Sequence, residues 1–112
     1  MTHQDAFTKM KNFLLAQNAK SEVKNEIENR CLYRGPNNTA CAVGCLIPDD
    51  EYSPEFEAMS LVRVQESVST LRDLRFEFLF GAQRVHDAYP VSLWPEKLKA
   101  LAESWNLKYE ED

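Results

Sequence analysis

The fold of this chain depends on one segment, Thr70-Leu-Arg-Asp-Leu-Arg-Phe-Glu-Phe-Leu-Phe-Gly-Ala-Gln-Arg-Val-His-Asp-Ala88. Its apolar residues recur every three or four positions, which is the period of a helix that buries one face. These positions are Leu71, Leu74, Phe78, Ala82 and Val85, with Tyr89 just beyond. Thr70 and Asp73 fit a capping box, and Pro90 ends the pattern. The segment therefore predicts a long central helix over residues 70–88.

Helical patterns also stand near both ends of the chain. Thr2 and Asp5 fit a second capping box, and the apolar spacing after them predicts a helix through about Gln17. Ser92 begins a last helix, which tolerates Pro95 in its first turn. Together with the central helix, these segments predict a mainly α, compact, small helical domain.

Two further segments carry weaker signals. Ser21 fits an N-cap, but a second helix from there through about Asn29 would bury only Val23 and Ile27. The C-terminal tail, residues 109–112, is acidic after its first residue and is predicted to fray, as chain ends commonly do.

All three cysteines lie in the segment Cys31-Leu-Tyr-Arg-Gly-Pro-Asn-Asn-Thr-Ala-Cys-Ala-Val-Gly-Cys-Leu-Ile-Pro-Asp-Asp-Glu-Tyr52. Gly35 and Pro36 mark a turn within it. If the chain returns as a strand after this turn, one short β-hairpin forms around residues 31–43. A short helix over residues 39–46, capped by its first residue, is the competing interpretation, because the stretch lacks the alternation of a strand. The sequence leaves both open.

Length and composition restrict the classes of protein to which the chain belongs. Its 112 residues, 44 % hydrophobic and 28 % charged, predict a single domain over residues 1–112. The net charge of −5 disfavours direct binding to nucleic acid. No apolar run approaches the roughly 20 residues that span a bilayer, and no secretory signal begins the chain. We therefore expect a cytoplasmic protein with reduced thiols and no membrane partner.

The three cysteines, Cys31, Cys41 and Cys45, allow three interpretations. We favour small buried apolar residues, which is the commonest role of a free cysteine. With His86 or His3 as a fourth ligand, they would form a Cys₃His set suited to zinc. A thiol enzyme would use His86 as its base, but adjacent residues do not face each other on a helix, so Asp87 should not orient His86. We expect His86 to be a partly exposed residue at a helix end, and we expect no cofactor.

The same segment offers contact points for a partner protein. An aromatic ring and a cation stand beside its turn, and an acidic connector follows. The partner-binding candidates are Tyr33, Arg34, Asp49, Asp50, Glu51 and Tyr52. Glu55 and Glu57 continue the acidic run, which is more typical of a solvated surface than of a catalytic carboxylate pair.

Residues 31–52 resemble a signature of small uncharacterised proteins of tailed phages and prophages. In that signature a Cys-x-Tyr-Arg-Gly turn precedes Cys-Ala-Val-Gly-Cys-Leu-Ile-Pro-Asp and a tyrosine. Gln83-Arg-Val-His-Asp87 is similar to its second half, whereas Glu57-Ala58 departs from an expected Glu-Gly. The resemblance implies a virus-encoded accessory protein in the cytoplasm of a bacterial host, and it brings no catalytic residues to transfer.

The predicted function is therefore protein–protein binding, which inhibits or modulates a host enzyme or defence complex. An acidic surface suits a basic partner. Three alternatives stay open: a Cys-liganded zinc module, a small thiol-dependent enzyme, and a structural or assembly protein that forms a homodimer. The last is suggested by Phe76, Leu79 and Phe80, which lie outside the main apolar stripe of the central helix.

Overall fold

The computed structural model describes residues 1–110, and its first element is the predicted N-terminal helix. This helix, α1, spans His3–Gln17. The Thr2 hydroxyl accepts a 3.0 Å hydrogen bond from the Asp5 N–H, and the Asp5 carboxylate accepts the Thr2 N–H at 3.2 Å. Asn18 ends the helix in the left-handed conformation, with a φ of 51°. The prediction is confirmed at both ends, because local residues determine them.

The second predicted helix is wrong, because its residues form a β-hairpin. Strand β1, Glu22–Lys24, pairs antiparallel with β2, Asn29–Cys31. The side chain of Asn25 accepts the N–H groups of Ile27 and Glu28, both at 2.8 Å, and so closes the turn. Such side chains offer the backbone an alternative to the helix. Ile27, expected inside a helix, is 95 % exposed.

The hairpin predicted around residues 31–43 therefore lies earlier in the chain. One isolated bridge, between Arg34 and Ala40, closes the turn that follows β2. Residues 39–46 adopt neither of the two conformations that the sequence allows, since they contain only a single 3₁₀ turn at Gly44–Leu46.

Gly44 determines how this segment folds back on itself. A Cβ atom at Gly44 would lie 2.0 Å from the carbonyl oxygen of Tyr33. Any other residue would force these two stretches of backbone apart, so the close approach requires glycine.

The central helix, α3, spans Phe76–Ala88 and begins at Phe76 rather than at Thr70. The side-chain amide of Gln65 donates to the carbonyl oxygens of Leu71 and Leu74, at 3.1 and 2.7 Å. The Leu71 carbonyl also accepts the N–H of Leu74 at 3.1 Å, three positions on, and the chain forms a 3₁₀ turn at Ser69–Leu71 before α3. The Thr70 hydroxyl has no hydrogen-bond partner within residues 1–110, so the predicted capping box there is wrong.

An aromatic residue from the N-terminus completes the start of α3. The Nε2 atom of His3 accepts the N–H of Arg75 at 3.0 Å. The imidazole also stacks on Trp105 and meets the edge of Phe78, with ring centroids 5.5 and 5.2 Å apart. The first and third helices are thus joined by a contact between residues far apart in sequence.

Two more helices, α2 (Leu61–Ser67) and α4 (Trp94–Ser104), pack against α3. Leu101 of α4 approaches α3 closely, since its Cδ1 atom would lie 3.1 Å from a Cβ at Gly81. The described residues form a compact, mainly α domain with a radius of gyration of 13.3 Å, which confirms the predicted class. Within residues 1–110, no helix has the length and apolarity needed to cross a membrane.

The predicted fraying of the acidic tail is wrong for its first two residues. The Lys108 N–H donates to the side chain of Gln4 at 2.8 Å, and the Tyr109 ring lies near the ring of Phe7 and the ammonium of Lys11. The backbone carbonyl of Glu110 accepts a hydrogen bond from Lys11. Residues 111 and 112 lie outside the described part of the chain.

Candidate functional site

Two of the three cysteines occupy the core, as the favoured interpretation predicts. Cys41 is fully buried and Cys45 is 9 % exposed. Burial raises the pKa of Cys45 to about 12 and raises that of Cys41 further. Both thiols are therefore protonated and apolar in character near neutral pH.

Cys31 lies elsewhere, at the end of β2, and it meets the end of α3. Its sulfur, one His86 nitrogen and one Asp87 oxygen all lie within 4.8 Å of one another. In the part of the chain that the structure describes, Cys41 and Cys45 join no such group. The predicted Cys₃His set is thus not assembled, and a Cys-His-Asp cluster exists in its place.

His86 is fully buried, so the expectation of a partly exposed helix end is wrong. Its Nε2 atom accepts the backbone N–H of Ser21 at 2.9 Å. Its Nδ1 atom lies 2.7 Å from an Asp87 carboxylate oxygen, and its ring lies against Trp94 with centroids 5.5 Å apart. Since Ser21 donates, Nε2 carries the lone pair and Nδ1 carries the proton. Asp87 therefore orients its neighbour directly, contrary to expectation, through this 2.7 Å contact.

This arrangement deprives Cys31 of a general base. The lone pair of His86 already accepts the Ser21 N–H, and the proton of the ring points to Asp87. Burial and the hydrogen bond to Asp87 raise the pKa of Cys31 to about 12. Burial alone would raise the pKa of Asp87, but hydrogen bonds from His86, Cys31 and Gln83 outweigh it and lower that pKa. The cluster holds a neutral thiol beside a carboxylate, which is the opposite of a nucleophilic site.

The cluster is also a poor fit for zinc. A metal at Nδ1 of His86 would require the proton to move to Nε2, which faces the Ser21 N–H at 2.9 Å. Two donors would then oppose each other in a buried place. The residues are close enough to suggest a metal, but their hydrogen bonds favour the metal-free form.

Four of the six partner-binding candidates come together on the other side of the 31–52 segment. The Arg34 guanidinium donates to Asp49 at 2.8 Å and to the carbonyl oxygens of Ile47 and Gly44 at 2.6 and 3.3 Å. It also lies 5.0 Å from the ring centroid of Tyr52. Arg34 thus connects parts of its own chain.

Glu57 contacts three of these four residues. Its carboxylate accepts the N–H groups of Tyr33 and Arg34 at 2.9 and 3.0 Å, and the hydroxyl of Tyr52 at 2.6 Å. Partial burial and this last bond raise the pKa of Tyr52 to about 12. The sequence places Glu57 in an acidic run and carries no signal of the three donors that it meets.

The remaining two candidates lie apart. The Glu51 carboxylate accepts the N–H and the hydroxyl of Ser69, at 2.9 and 3.0 Å, so its role is structural. Asp50 is exposed. Arg34 and Asp49 border a cleft of about 520 Å³ with Lys9, but the guanidinium is already engaged.

A second cleft, of about 480 Å³, lies between α3 and the segment that leads into α2. We call it the Phe80 groove. Phe80 is 54 % exposed on one wall, and Met59 and Leu61 line it as well. Phe80 contacts Phe76 with centroids 6.0 Å apart, whereas Leu79 points into the core and is fully buried.

Polar groups line the rest of the Phe80 groove. Tyr33, Cys31, Glu57 and Asp87 all contribute to it, so the groove joins both clusters described above. Arg84 also borders it and is exposed, and its guanidinium makes no hydrogen bond or ion pair within residues 1–110. Of the residues that line this groove, only Tyr33 is among the six partner-binding candidates, although the helical spacing does place Phe80 outside the main apolar stripe.

Comparison with known proteins gives no further assignment. No family model, curated protein or solved structure matches this chain.

Proposed function

We propose that this chain is a non-enzymatic phage accessory protein, which binds a protein of its bacterial host and blocks that protein's action. The observation that carries the proposal is the Phe80 groove, a recess of about 480 Å³ in which an aromatic ring is 54 % exposed. Exposed aromatic rings beside a recess are the usual anchors of protein interfaces. The signature at residues 31–52 supports the phage context.

The chemistry of the Cys31 cluster supports binding over catalysis. The thiol is protonated, the imidazole lone pair is occupied by the Ser21 N–H, and Asp87 accepts hydrogen bonds from its own neighbours. The thiol and the imidazole are thus not free to take a proton from a substrate, and the lowered pKa of Asp87 makes its carboxylate a weak base. The cluster instead joins β2 to α3 and so shapes one side of the groove.

The charge of the chain indicates the kind of partner. A net charge of −5 favours approach to a basic protein surface and disfavours approach to nucleic acid. A host protein whose basic face binds nucleic acid would be blocked by such an interaction.

The proposal is tested by affinity capture from a bacterial lysate at physiological salt, with three versions of the protein. Phe80→Ser removes the aromatic anchor, and Ile27→Ser removes a still more exposed apolar residue outside the groove. We expect the wild type and Ile27→Ser to retain the same host protein and Phe80→Ser to lose it. Capture of nothing by the wild type, or the same capture by all three, would refute the proposal.

A follow-up experiment separates a host partner from self-association. The captured protein is purified and mixed with the wild type on a sizing column. A mixed complex supports the proposal. A wild type that elutes as a dimer on its own, and as a monomer after Phe80→Ser, would assign the groove to a second copy of the chain.

A further inference from the structure

We infer that the Phe80 groove receives a lysine or arginine side chain of the partner, whose cation pairs with Asp87 while its aliphatic stem lies against Phe80. This inference deepens the proposed function and rests on it. It follows from the charges of the groove, the exposure of its carboxylate and the apolar character of its wall.

The charged side chains that line the groove have a net negative charge. Two carboxylates, those of Glu57 and Asp87, face a single guanidinium, that of Arg84. Two further cations lie nearby, but they donate to backbone carbonyls rather than to the carboxylates: Arg30 to that of Glu57 at 3.4 Å and Lys20 to that of Asp87 at 3.3 Å. Among the side chains that line the groove, the carboxylates therefore exceed the cations by one.

Asp87 is accessible to such a cation. Its side chain is 40 % exposed although it accepts from His86 and Gln83 at one oxygen, at 2.7 and 3.1 Å. Hydrogen bonds from its neighbours lower its pKa, so it is an anion at neutral pH. A carboxylate has about four acceptor positions, which leaves room for a further donor.

The thiol and the phenol beside the carboxylates are neutral at pH 7, so neither adds a charge to the groove. Asp87 and burial keep the Cys31 thiol protonated, and burial with the charges of Glu57 and Asp87 raises the pKa of Tyr33 as well. A partner carboxylate would be repelled here, whereas a cation would find two anions and an aromatic ring.

The apolar wall matches the stem of a long cationic side chain. Phe80 on α3 and Met59 and Leu61 on the segment across the groove form the apolar part of its lining. Lysine and arginine bury their methylene groups along such a surface and leave the charge at the end. The face of Phe80, 54 % exposed, also attracts a cation directly.

The test uses three short peptides that differ only in the central residue: Ac-Gly-Leu-Arg-Leu-Gly-NH₂ and its counterparts with Glu and with Leu at the centre. Binding is followed by the amide shifts of Gln83 and Arg84 in nitrogen-15 spectra. We expect the Arg peptide to bind about five-fold more tightly than the Leu peptide, and the Glu peptide most weakly, as one exposed ion pair with cation–π contact implies. Tighter binding of the Glu peptide, or equal binding of all three, would overturn the inference.

A pair of matched variants isolates the local charge. Arg84→Glu removes the single cation of the groove lining, and Lys9→Glu makes the same change of net charge at the other cleft. We expect Arg84→Glu to strengthen binding of the Arg peptide by several-fold more than Lys9→Glu does. An equal effect of the two variants would overturn the inference. Asp87→Asn should weaken binding, and if it perturbs the fold, the Arg84→Glu comparison decides.

Failure of the inference is distinguishable from failure of the proposed function. If Phe80→Ser loses the host protein but the three peptides bind equally, the proposed function is supported and the inference about a cationic side chain is refuted. If the Arg peptide binds most tightly but no host protein is captured, the inference is supported and the proposed function is refuted.

Discussion

The backbone N–H of Ser21 donates a 2.9 Å hydrogen bond to the Nε2 atom of His86. The two residues are 65 positions apart, and the bond joins the approach to β1 to the last turn of α3. It determines which nitrogen of the imidazole carries the proton, and so it converts what could be a catalytic base into a structural acceptor. The behaviour of Cys31 and of Asp87 follows from it.

We expect His86→Ala to lower the free energy of unfolding by about 2–4 kcal/mol, because the change empties a fully buried site and leaves the Ser21 N–H without an acceptor. His86→Gln should recover part of this loss, since its carbonyl oxygen can accept the same N–H. Urea denaturation of both variants checks the prediction. Equal stability of the Ala variant and the wild type would show that the bond contributes little.

We expect Cys31 to react with iodoacetamide roughly 50-fold more slowly than glutathione at about pH 8, because a pKa near 12 leaves little thiolate and higher intrinsic nucleophilicity compensates only in part. Mass spectrometry of the digested protein measures the rate at each cysteine. In concentrated urea all three cysteines should react alike.

Asp87→Asn serves as the matched variant for this measurement. It removes the negative charge that helps to raise the pKa of Cys31 and replaces one carboxylate oxygen by an amide NH₂, so the rate should increase by several-fold. A wild-type Cys31 that reacts faster than glutathione would instead indicate an activated thiol and favour the thiol enzyme.

These two predictions concern a cluster that the sequence could indicate only in part. α1 is predictable because the cap, the apolar period and the left-handed Asn18 are all local. The hairpin is also formed by local residues, but the sequence indicates it only through Asn25, whose side chain closes the turn. Val23 and Ile27 stand at helical spacing around it and indicate a helix instead. A pattern with only two apolar positions is too weak to decide such a competition.

The start of α3 and the Phe80 groove depend on contacts between distant residues. The side-chain amide of Gln65 donates to the carbonyl oxygens of Leu71 and Leu74, and His3 accepts the N–H of Arg75. No spacing rule links such positions. The predicted burial of Cys41 and Cys45 is confirmed, because apolar neighbours in the sequence are enough to predict it. The surroundings of Cys31 could not be predicted in this way, because they depend on the end of α3, which is distant in sequence.

We expect added zinc to leave the thermal midpoint of the wild type unchanged. Coordination by His86 would oppose two hydrogen-bond donors, and Cys41 and Cys45 do not join the cluster in the described residues. The measurement is a thermal unfolding scan with equimolar zinc and with a chelator. A midpoint that rises by several degrees with zinc and falls with chelator would restore the zinc-module alternative.

We expect Glu57→Ala to lower the free energy of unfolding by about 2–4 kcal/mol, because it leaves the N–H groups of Tyr33 and Arg34 and the hydroxyl of Tyr52 without their acceptor. Urea denaturation measures the loss. Glu55→Ala is the control, since Glu55 is exposed two positions away and its side chain accepts none of these donors. If both variants lose the same stability, Glu57 is part of a solvated acidic surface after all.

We expect the wild type to lose stability as the pH rises from about 9 to about 12. Burial raises the pKa of Cys45 from its ordinary value of 9.0 to about 12, so above pH 9 the unfolded chain releases a proton that the folded chain retains. The unfolded state then binds fewer protons, and the stabilisation present below pH 9 is lost with a slope of about 1.4 kcal/mol per pH unit for each such thiol.

Cys45→Ala isolates this contribution, because alanine has no proton to release. Its free energy of unfolding should fall less steeply than that of the wild type between about pH 9 and pH 10.5, by roughly the slope of one thiol. Since Cys45 is 9 % exposed, the variant loses some stability at every pH, so the slopes and not the absolute values are compared. Urea denaturation at three pH values gives them. Identical slopes would mean that Cys45 titrates in the folded protein as it does in water, which is incompatible with a buried thiol.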